Sequence, residues 1–190
     1  TGKFLTESTA KDHNVDYMIM CAPSKDSIVP QYLYNGNHLE YNGEKIVSNS
    51  SCTTNCIVPL IKILNQKYGI EHCNFITVHA ATASQSVLDS PHLKKRNHRS
   101  VFNNIIPATT GASKSAIKIL PELDGKIYGT SVRIPTGNVS MVDMNIKLSK
   151  KESLSNILEF LRGKDEIIVS DDEHLVSSDF CTTENPTIVD

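Results

Sequence analysis

The chain has 190 residues, with 19 Lys and Arg against 21 Asp and Glu, giving a formal net charge of −2. With 39% apolar and 21% charged residues it is too apolar and too weakly charged to stay disordered, and it lacks the basic footprint of a nucleic-acid or anionic-membrane binder. No apolar run approaches the roughly 20 residues of a membrane span, the polar opening TGKFLTESTAKDHN does not read as a secretory signal, and the glycines include no G-x-G pair, so the usual dinucleotide fingerprint is missing from this sequence.

Residues 15–21 (VDYMIMC) form a nearly unbroken apolar run closed by Ala22-Pro23-Ser24, which predicts a buried strand of the parallel type. Residues 45–48 predict a shorter strand after the turn Asn42-Gly43-Glu44. SNSSCTTNC then leads into IVPLIKILNQKYG, where Ile57, Leu60, Ile61 and Leu64 recur at helical spacing. Pro59 is tolerated only near the first turns of a helix, which puts the start close to Cys52, and Gly69 supplies the stop. Residues 74–80 (NFITVHA) predict a strand ending near His79. Residues 81–99 are polar, basic and aperiodic, and are expected to form a long surface loop.

Residues 111–120 predict a helix stopped by Pro121, and residues 139–148 a strand with Val142, Met144, Ile146 and Leu148 on one face. Ser153 is expected to cap a short helix whose Leu154, Ile157, Leu158 and Leu161 make one stripe, ending at Gly163. Residues 167–169 and 175–176 predict further short strands. Strands outnumber crossover helices in this half. The fold class is therefore α/β giving way, near Ser50, to α+β with a mixed, mostly antiparallel sheet packed with helices.

The cysteines stand at 21, 52, 56, 73 and 181. An odd number, unevenly spaced and without a secretory signal, points to reduced thiols in the cytoplasm rather than a disulfide framework, and the absence of any C-x-x-C argues against structural zinc, so no metal is expected. Cys52, between a strand and a helix start, lies in the positive field of the helix N-terminus, which favours thiolate. Ser51, Thr53, Thr54 and Asn55 around it can hydrogen-bond an anion, and a strand-ending His79 can take the thiol proton to complete a nucleophilic pair. Read from the residues alone, Cys52 and Cys56 as small core fillers and His79 as a satisfied buried histidine is the reading to prefer, since one Cys and one distant His coincide easily.

The string Ser48-Asn49-Ser50-Ser51-Cys52-Thr53-Thr54-Asn55-Cys56 closely resembles the active-site segment of phosphorylating glyceraldehyde-3-phosphate dehydrogenases. TVHAAT at 77–82, IPATTGA at 106–112, PELDGK at 121–126, RIPTGNVS at 133–140 and VSSDF at 176–180 are similar to further segments of that family, in the family's order, and TGKF at 1–4 resembles the end of its S-T-G-x-F segment. The resemblance covers essentially the whole chain. It implies that residues 1–50 are the last part of a parallel, Rossmann-type NAD-binding domain and residues 51–190 a catalytic domain incomplete at its C-terminus, with the pyrophosphate-binding glycines on a segment outside this sequence.

Carried over position by position, Cys52 resembles the nucleophile and His79 the residue that activates it. Ser51, Thr53, Thr110 and Gly111 match the site for attacking inorganic phosphate. Thr82 and Arg133 match the site for the substrate's phosphate, and Ser84 stands there where the family commonly has Thr. Cys21 occupies a cofactor-facing position usually filled by Ser or Thr. The basic loop 92–100 departs from the family's glycine-rich version, which meets the cofactor pocket of a neighbouring subunit. The implied partners are glyceraldehyde 3-phosphate, inorganic phosphate, NAD (with NADP as the alternative) and further copies of the chain in a tetramer. Rival readings are an erythrose-4-phosphate dehydrogenase, a non-catalytic remnant that assembles with full-length subunits, and a Cys–His hydrolase lacking an orienting Asn or Asp.

Overall fold

The structure, a computed structural model, describes residues 11–13, 15–24, 28–91 and 95–190. Strand β1 (Met18–Met20) pairs in parallel with β2 (Ile46–Ser48), Met18 opposite Ile46 and Met20 opposite Ser48. The parallel pairing agrees with the expectation, but the strand is shorter than the apolar run and not buried along its length. Met20 faces inward while Val15, Tyr17 and Ile19 are exposed, because among the described residues nothing covers the outer face of this two-stranded ribbon.

Helix α1 (Cys52–Tyr68) begins at the cysteine. Ser51 is its N-cap, accepting the Thr54 N–H at 3.2 Å, and Gly69 ends it at φ 72°, a conformation a side chain would resist. Pro59 lies deeper than the first turns, about two turns in, and its ring nitrogen cannot donate to the Asn55 carbonyl. The helix survives because its apolar face is packed so tightly: Ile57, Val58 and Ile61 are fully buried. Close to the proline, the buried Thr187 donates from Oγ1 to the Cys56 carbonyl at 2.7 Å, tying the far end of the sequence to this helix. Thr187→Val keeps the shape and removes that bond. It should cost about 1 kcal/mol, seen as a fall of about 2–4 °C in Tm by calorimetry.

The main sheet has the order β4-β5-β3-β6, from β3 (Ile70–Ala80), β4 (Ile106–Ala108), β5 (Ile127–Ile134) and β6 (Met141–Leu148). β3 and β5 are parallel, while β4–β5 and β3–β6 are antiparallel, so the sheet is mixed and mostly antiparallel as expected. β3 starts directly after Gly69, four residues before the run that predicted it, and β4 and β5 are strands the sequence reading did not include. Side chains alternate across this sheet. One face carries Cys73, Phe75, Thr77 and His79 of β3 with Ile127, Gly129, Ser131 and Arg133 of β5, and packs on α1 and α2 (Ala112–Ile119). On the other face Ile76, Tyr128 and Met141 remain exposed.

Helix α3 (Leu154–Arg162) is capped by Ser153, whose Oγ accepts the Asn156 N–H. Leu161 is buried and Phe160 meets Tyr68 edge-on at 5.6 Å, but Leu154 is exposed, so the docking stripe runs through Ile157, Phe160 and Leu161 and the first turn projects outward. β7 (Ile168–Val169) pairs in parallel with β8 (Ile188–Val189), a partner the apolar pattern did not announce. Residues 175–176 are not a strand. The Val176 N–H donates to Asp179 Oδ2 at 2.7 Å and starts a 3-10 turn instead. Residues 81–99 form the surface segment expected, except for a short 3-10 turn at Lys95–His98; residues 92–94 of the basic loop lie outside the described residues.

Candidate active site

The loop before α1 is held on both sides. The Asn49 N–H donates to the Met20 carbonyl and Ser48 Oγ to the Ala22 carbonyl, fastening the loop to the end of β1. The Asn55 amide then donates to the carbonyls of Asn49 and Ser51, both at 2.9 Å. Thr54 is fully buried, with its hydroxyl 2.7 Å from Ser51 Oγ. Thr54 and Asn55 therefore brace the loop and do not face an anion beside Cys52, a correction to the simpler expectation that every polar neighbour would. Ser50, buried and at φ 58°, completes the turn that aims the next residues outward.

Cys52 is exposed at the helix start, where the N–H groups of the first turn lack partners inside the helix. Its Sγ lies 3.3 Å from His79 Nε2. That hydrogen bond is the main reason the thiol is lowered from 9.0 to about 7; burial opposes it, and the His79 charge and Thr53 assist. Cys56, one turn along, is instead pushed up to about 11 by burial and by its neighbour Cys52, and buried Cys73 is likewise at about 11. One thiol of this group is thus set apart from the others by its place on the helix and its histidine. Cys21 is exposed at the end of β1, and no hydrogen bond or charge ties it to Cys52.

His79 is positioned by the parallel register, directly opposite Arg133. Arg133 Nη1 lies 2.5 Å from His79 Nδ1 and donates to the Ala80 carbonyl at 3.0 Å, and that same carbonyl is 2.8 Å from Nδ1. Beyond the end of β3, Thr82 and Ser84 come together, with their hydroxyls 2.9 Å apart. Gln85, which sequence reasoning did not single out, is buried and accepts from both the Thr82 N–H and hydroxyl at 3.0 Å. The signal available for it was its spacing, a polar residue three on from Thr82 at the mouth of a strand.

Thr110 Oγ1 accepts the Ala112 N–H at the start of α2, and Gly111 is exposed as the N-cap. The structure thus joins Cys52, His79 and Arg133 by direct contacts, pairs Thr82 with Ser84, and puts Ser51, Thr53 and Thr110 at two helix starts. Thr53 hydrogen-bonds Cys52 as well, so the first and third of these groups meet at the start of α1.

A cysteine of lowered pKa at a helix N-terminus thus sits beside a strand-borne histidine, on a mixed sheet backed by helices. Residues 51–190 match the family described as glyceraldehyde 3-phosphate dehydrogenase, C-terminal domain. The chain belongs to the glyceraldehyde-3-phosphate dehydrogenase family. It is 43% identical over its whole length to the glyceraldehyde-3-phosphate dehydrogenase of Bacteroides fragilis (strain YCH46), covering 60% of that protein. It is also 43% identical to the cytosolic enzyme of Leishmania mexicana, over 95% of this chain and 57% of that one, and 41% identical to the enzyme of Shimwellia blattae, over 95% and 64%. The sequence thus spans about three-fifths of the length of these relatives.

Proposed function

We propose that this chain carries the acyl-transfer chemistry of a phosphorylating glyceraldehyde-3-phosphate dehydrogenase, and that residues 1–50 are the end of its cofactor domain and residues 51–190 its catalytic domain. The single observation that carries the reading is the pairing of Cys52 with His79 at the start of α1, with the thiol lowered to about 7. A substantial part of Cys52 is then thiolate at neutral pH, and it attacks the aldehyde carbon to form a carbon–sulfur bond. His79 Nε2 gives a proton to the resulting oxygen and later removes it, and backbone N–H at the start of α1 stabilises that oxygen while it is negative. Thr82, Ser84 and Arg133 hold the substrate's phosphate. Ser51, Thr53, Thr110 and Gly111 hold the inorganic phosphate that releases the acyl group from Cys52 as an acyl phosphate.

The reading calls for NAD, or NADP, which when bound supplies the two-electron oxidation that leaves the acyl group as a thioester. The residues present fit the nicotinamide end of such a cofactor. The carboxyl ends of β1 and β2, where open α/β sheets hold nucleotides, are fastened to the loop before Cys52, with Cys21 exposed beside them. The open sheet face bearing Ile76, Tyr128 and Met141 supports assembly with further copies of the chain.

The test uses the reverse half-reaction, which needs no cofactor. Acetyl phosphate is added to the chain and acylation is read by intact-mass spectrometry. Cys52 should gain one acetyl group with release of phosphate, and Cys52→Ser should gain none. A folded chain left unlabelled would overturn the reading and favour a non-catalytic remnant. NADH formation from glyceraldehyde 3-phosphate set against erythrose 4-phosphate then separates the two aldehyde substrates.

A further inference from the structure

The hydrogen bonds around Gln85 have only one possible direction. Its Oε1 faces the Thr82 N–H at 3.0 Å, and because a backbone N–H can only donate, the amide cannot be turned end for end. The Thr82 hydroxyl, also 3.0 Å from Oε1, must then place its one hydrogen there. On the other side Nε2 donates to Ser84 Oγ at 3.0 Å. The two hydroxyls are 2.9 Å apart, and with the Thr82 hydrogen already committed, Ser84 is the donor of that pair. The hydrogens therefore run one way round a closed ring, from Nε2 to Ser84, from Ser84 to Thr82 and from Thr82 back to Oε1. Such a ring strengthens each of its members.

The turn that carries this ring is closed by the backbone. The Gln85 N–H donates to the Thr82 carbonyl and the Ala81 N–H to the Thr136 carbonyl, both at 2.9 Å, and the Ser86 hydroxyl donates to the Asn97 carbonyl at 2.7 Å. A side chain that only braced this turn would need no more than its acceptor oxygen, on the Thr82 N–H. The Nε2 donor adds nothing to the backbone and acts on the Ser84 hydroxyl. Gln85 is buried while Thr82 and Ser84 are exposed, so the amide is the inner member of the ring and the hydroxyls are its outer edge. An ionised phosphate oxygen accepts and does not donate. The ring opens toward such an oxygen without leaving the buried amide unsatisfied. Ser84 turns its hydrogen outward while still accepting from Nε2, and Thr82 turns its own while Oε1 keeps the Thr82 N–H.

We propose that Gln85 is a positioning residue of the substrate-phosphate site: it sets the Ser84 and Thr82 hydroxyls as hydrogen donors and so makes this end of the site select an acyl group that bears a phosphate. Gln85 acts through the two hydroxyls and does not itself meet the phosphate. Arg133 supplies charge to the site, and the ring supplies direction. A carboxylate in place of the amide would have no hydrogen to give Ser84. It would accept from both hydroxyls, hold their hydrogens inward and set a negative charge behind them. The proposal rests on the reading of Thr82 and Ser84 as ligands of the substrate's phosphate.

The experiment compares two acyl donors on the full chain by the rate of Cys52 acylation, read by intact-mass spectrometry. One is the acyl phosphate of 3-phosphoglycerate, which carries a second phosphate; the other is acetyl phosphate, which does not. With either donor the Cys52 sulfur bonds to the acyl carbon and inorganic phosphate leaves, so the ratio of the two rates reports the substrate-phosphate site alone. Gln85→Met should lower that ratio about 10- to 100-fold, and Gln85→Glu by at least as much. Ser84→Ala should lower it too, and the double variant of Ser84→Ala with Gln85→Met should lose less than the product of the two losses. A merely bracing role would slow both donors together and leave the ratio where it was. An unchanged ratio in the Gln85 variants, or losses that simply multiply, overturns the proposal. If Ser84→Ala alone lowers the ratio, the phosphate site and the proposed function stand without Gln85. If the wild type is acylated by both donors with no preference for the phosphorylated one, the assignment of Thr82 and Ser84 falls together with the proposal, while the Cys52 chemistry stands. Gln85→Glu keeps nearly the native shape and decides the matter even if Gln85→Met does not fold.

Discussion

Alkylation of Cys52 by iodoacetamide should follow a titration with its midpoint near pH 7, and His79→Asn should move that midpoint toward the ordinary thiol value. The two profiles are expected to cross. At pH 7 about half of a thiol with pKa near 7 is ionised, against about one hundredth of a thiol near 9, roughly a fifty-fold difference in thiolate. The more basic thiolate is intrinsically the better nucleophile, by about eight-fold for a two-unit difference at a Brønsted slope of 0.4–0.5. The net result is that His79→Asn slows alkylation about six-fold at pH 7, accelerates it about eight-fold above pH 10, and matches the wild type near pH 8. A general loss of structure would slow the reaction at every pH. Linkage has a definite sign here as well. Because the folded thiol is depressed below its unfolded value, its contribution to stability is present above pH 9 and is lost as pH falls through about 7.

The second large effect is at Gly129. A methyl group added there would sit 2.1 Å from Phe75 Cζ, with Cε2 and Cε1 at 2.5 and 2.6 Å, and Phe75 is a buried core ring. The ring lies across the strand just where a side chain would rise. Gly129→Ala must therefore displace the aromatic or bend β5, at a cost of about 2–3 kcal/mol, which lowers Tm by about 5–10 °C in a chain of this size. Phe75→Leu alone should also destabilise by leaving a cavity. The double variant should recover part of the loss, since the smaller side chain vacates the space the methyl needs, and calorimetry of all four proteins gives the coupling. Strict additivity would show that the ring is not what excludes a side chain at position 129.

Gly129 also explains why part of the fold escaped the sequence. The run IYGTSVRI at 127–134 has neither clean alternation nor a continuous apolar stretch. A glycine within it reads as a break, yet in the structure it marks the close approach of Phe75. β8 escaped for a different reason: two residues gain strand character only from a partner many residues earlier, and no local pattern encodes that pairing. Helix α1 was legible because its signals agree, with a hydroxyl cap, helical spacing and a terminal glycine. Leu154 misled because periodicity places a residue on a face but does not say how far along the helix that face is covered.

At the site, Cys52 and His79 were legible from motif order, and so was the company of Thr82 with Ser84. The contact of Arg133 with His79 was not. It depends on two strands lying side by side in the same direction, which only the assembled sheet supplies.

That alignment limits how this stretch of the protein can vary. His79 and Arg133 share a face and a level because β3 and β5 are matched from Cys73 opposite Ile127 to Ala80 opposite Ile134. Adding or deleting a single residue within either strand would turn its reactive end to the opposite side of the sheet. Length changes should accordingly be tolerated in the segments between strands and excluded from within them, so the spacing of this chemistry is kept by the backbone ladder as much as by the side chains that perform it.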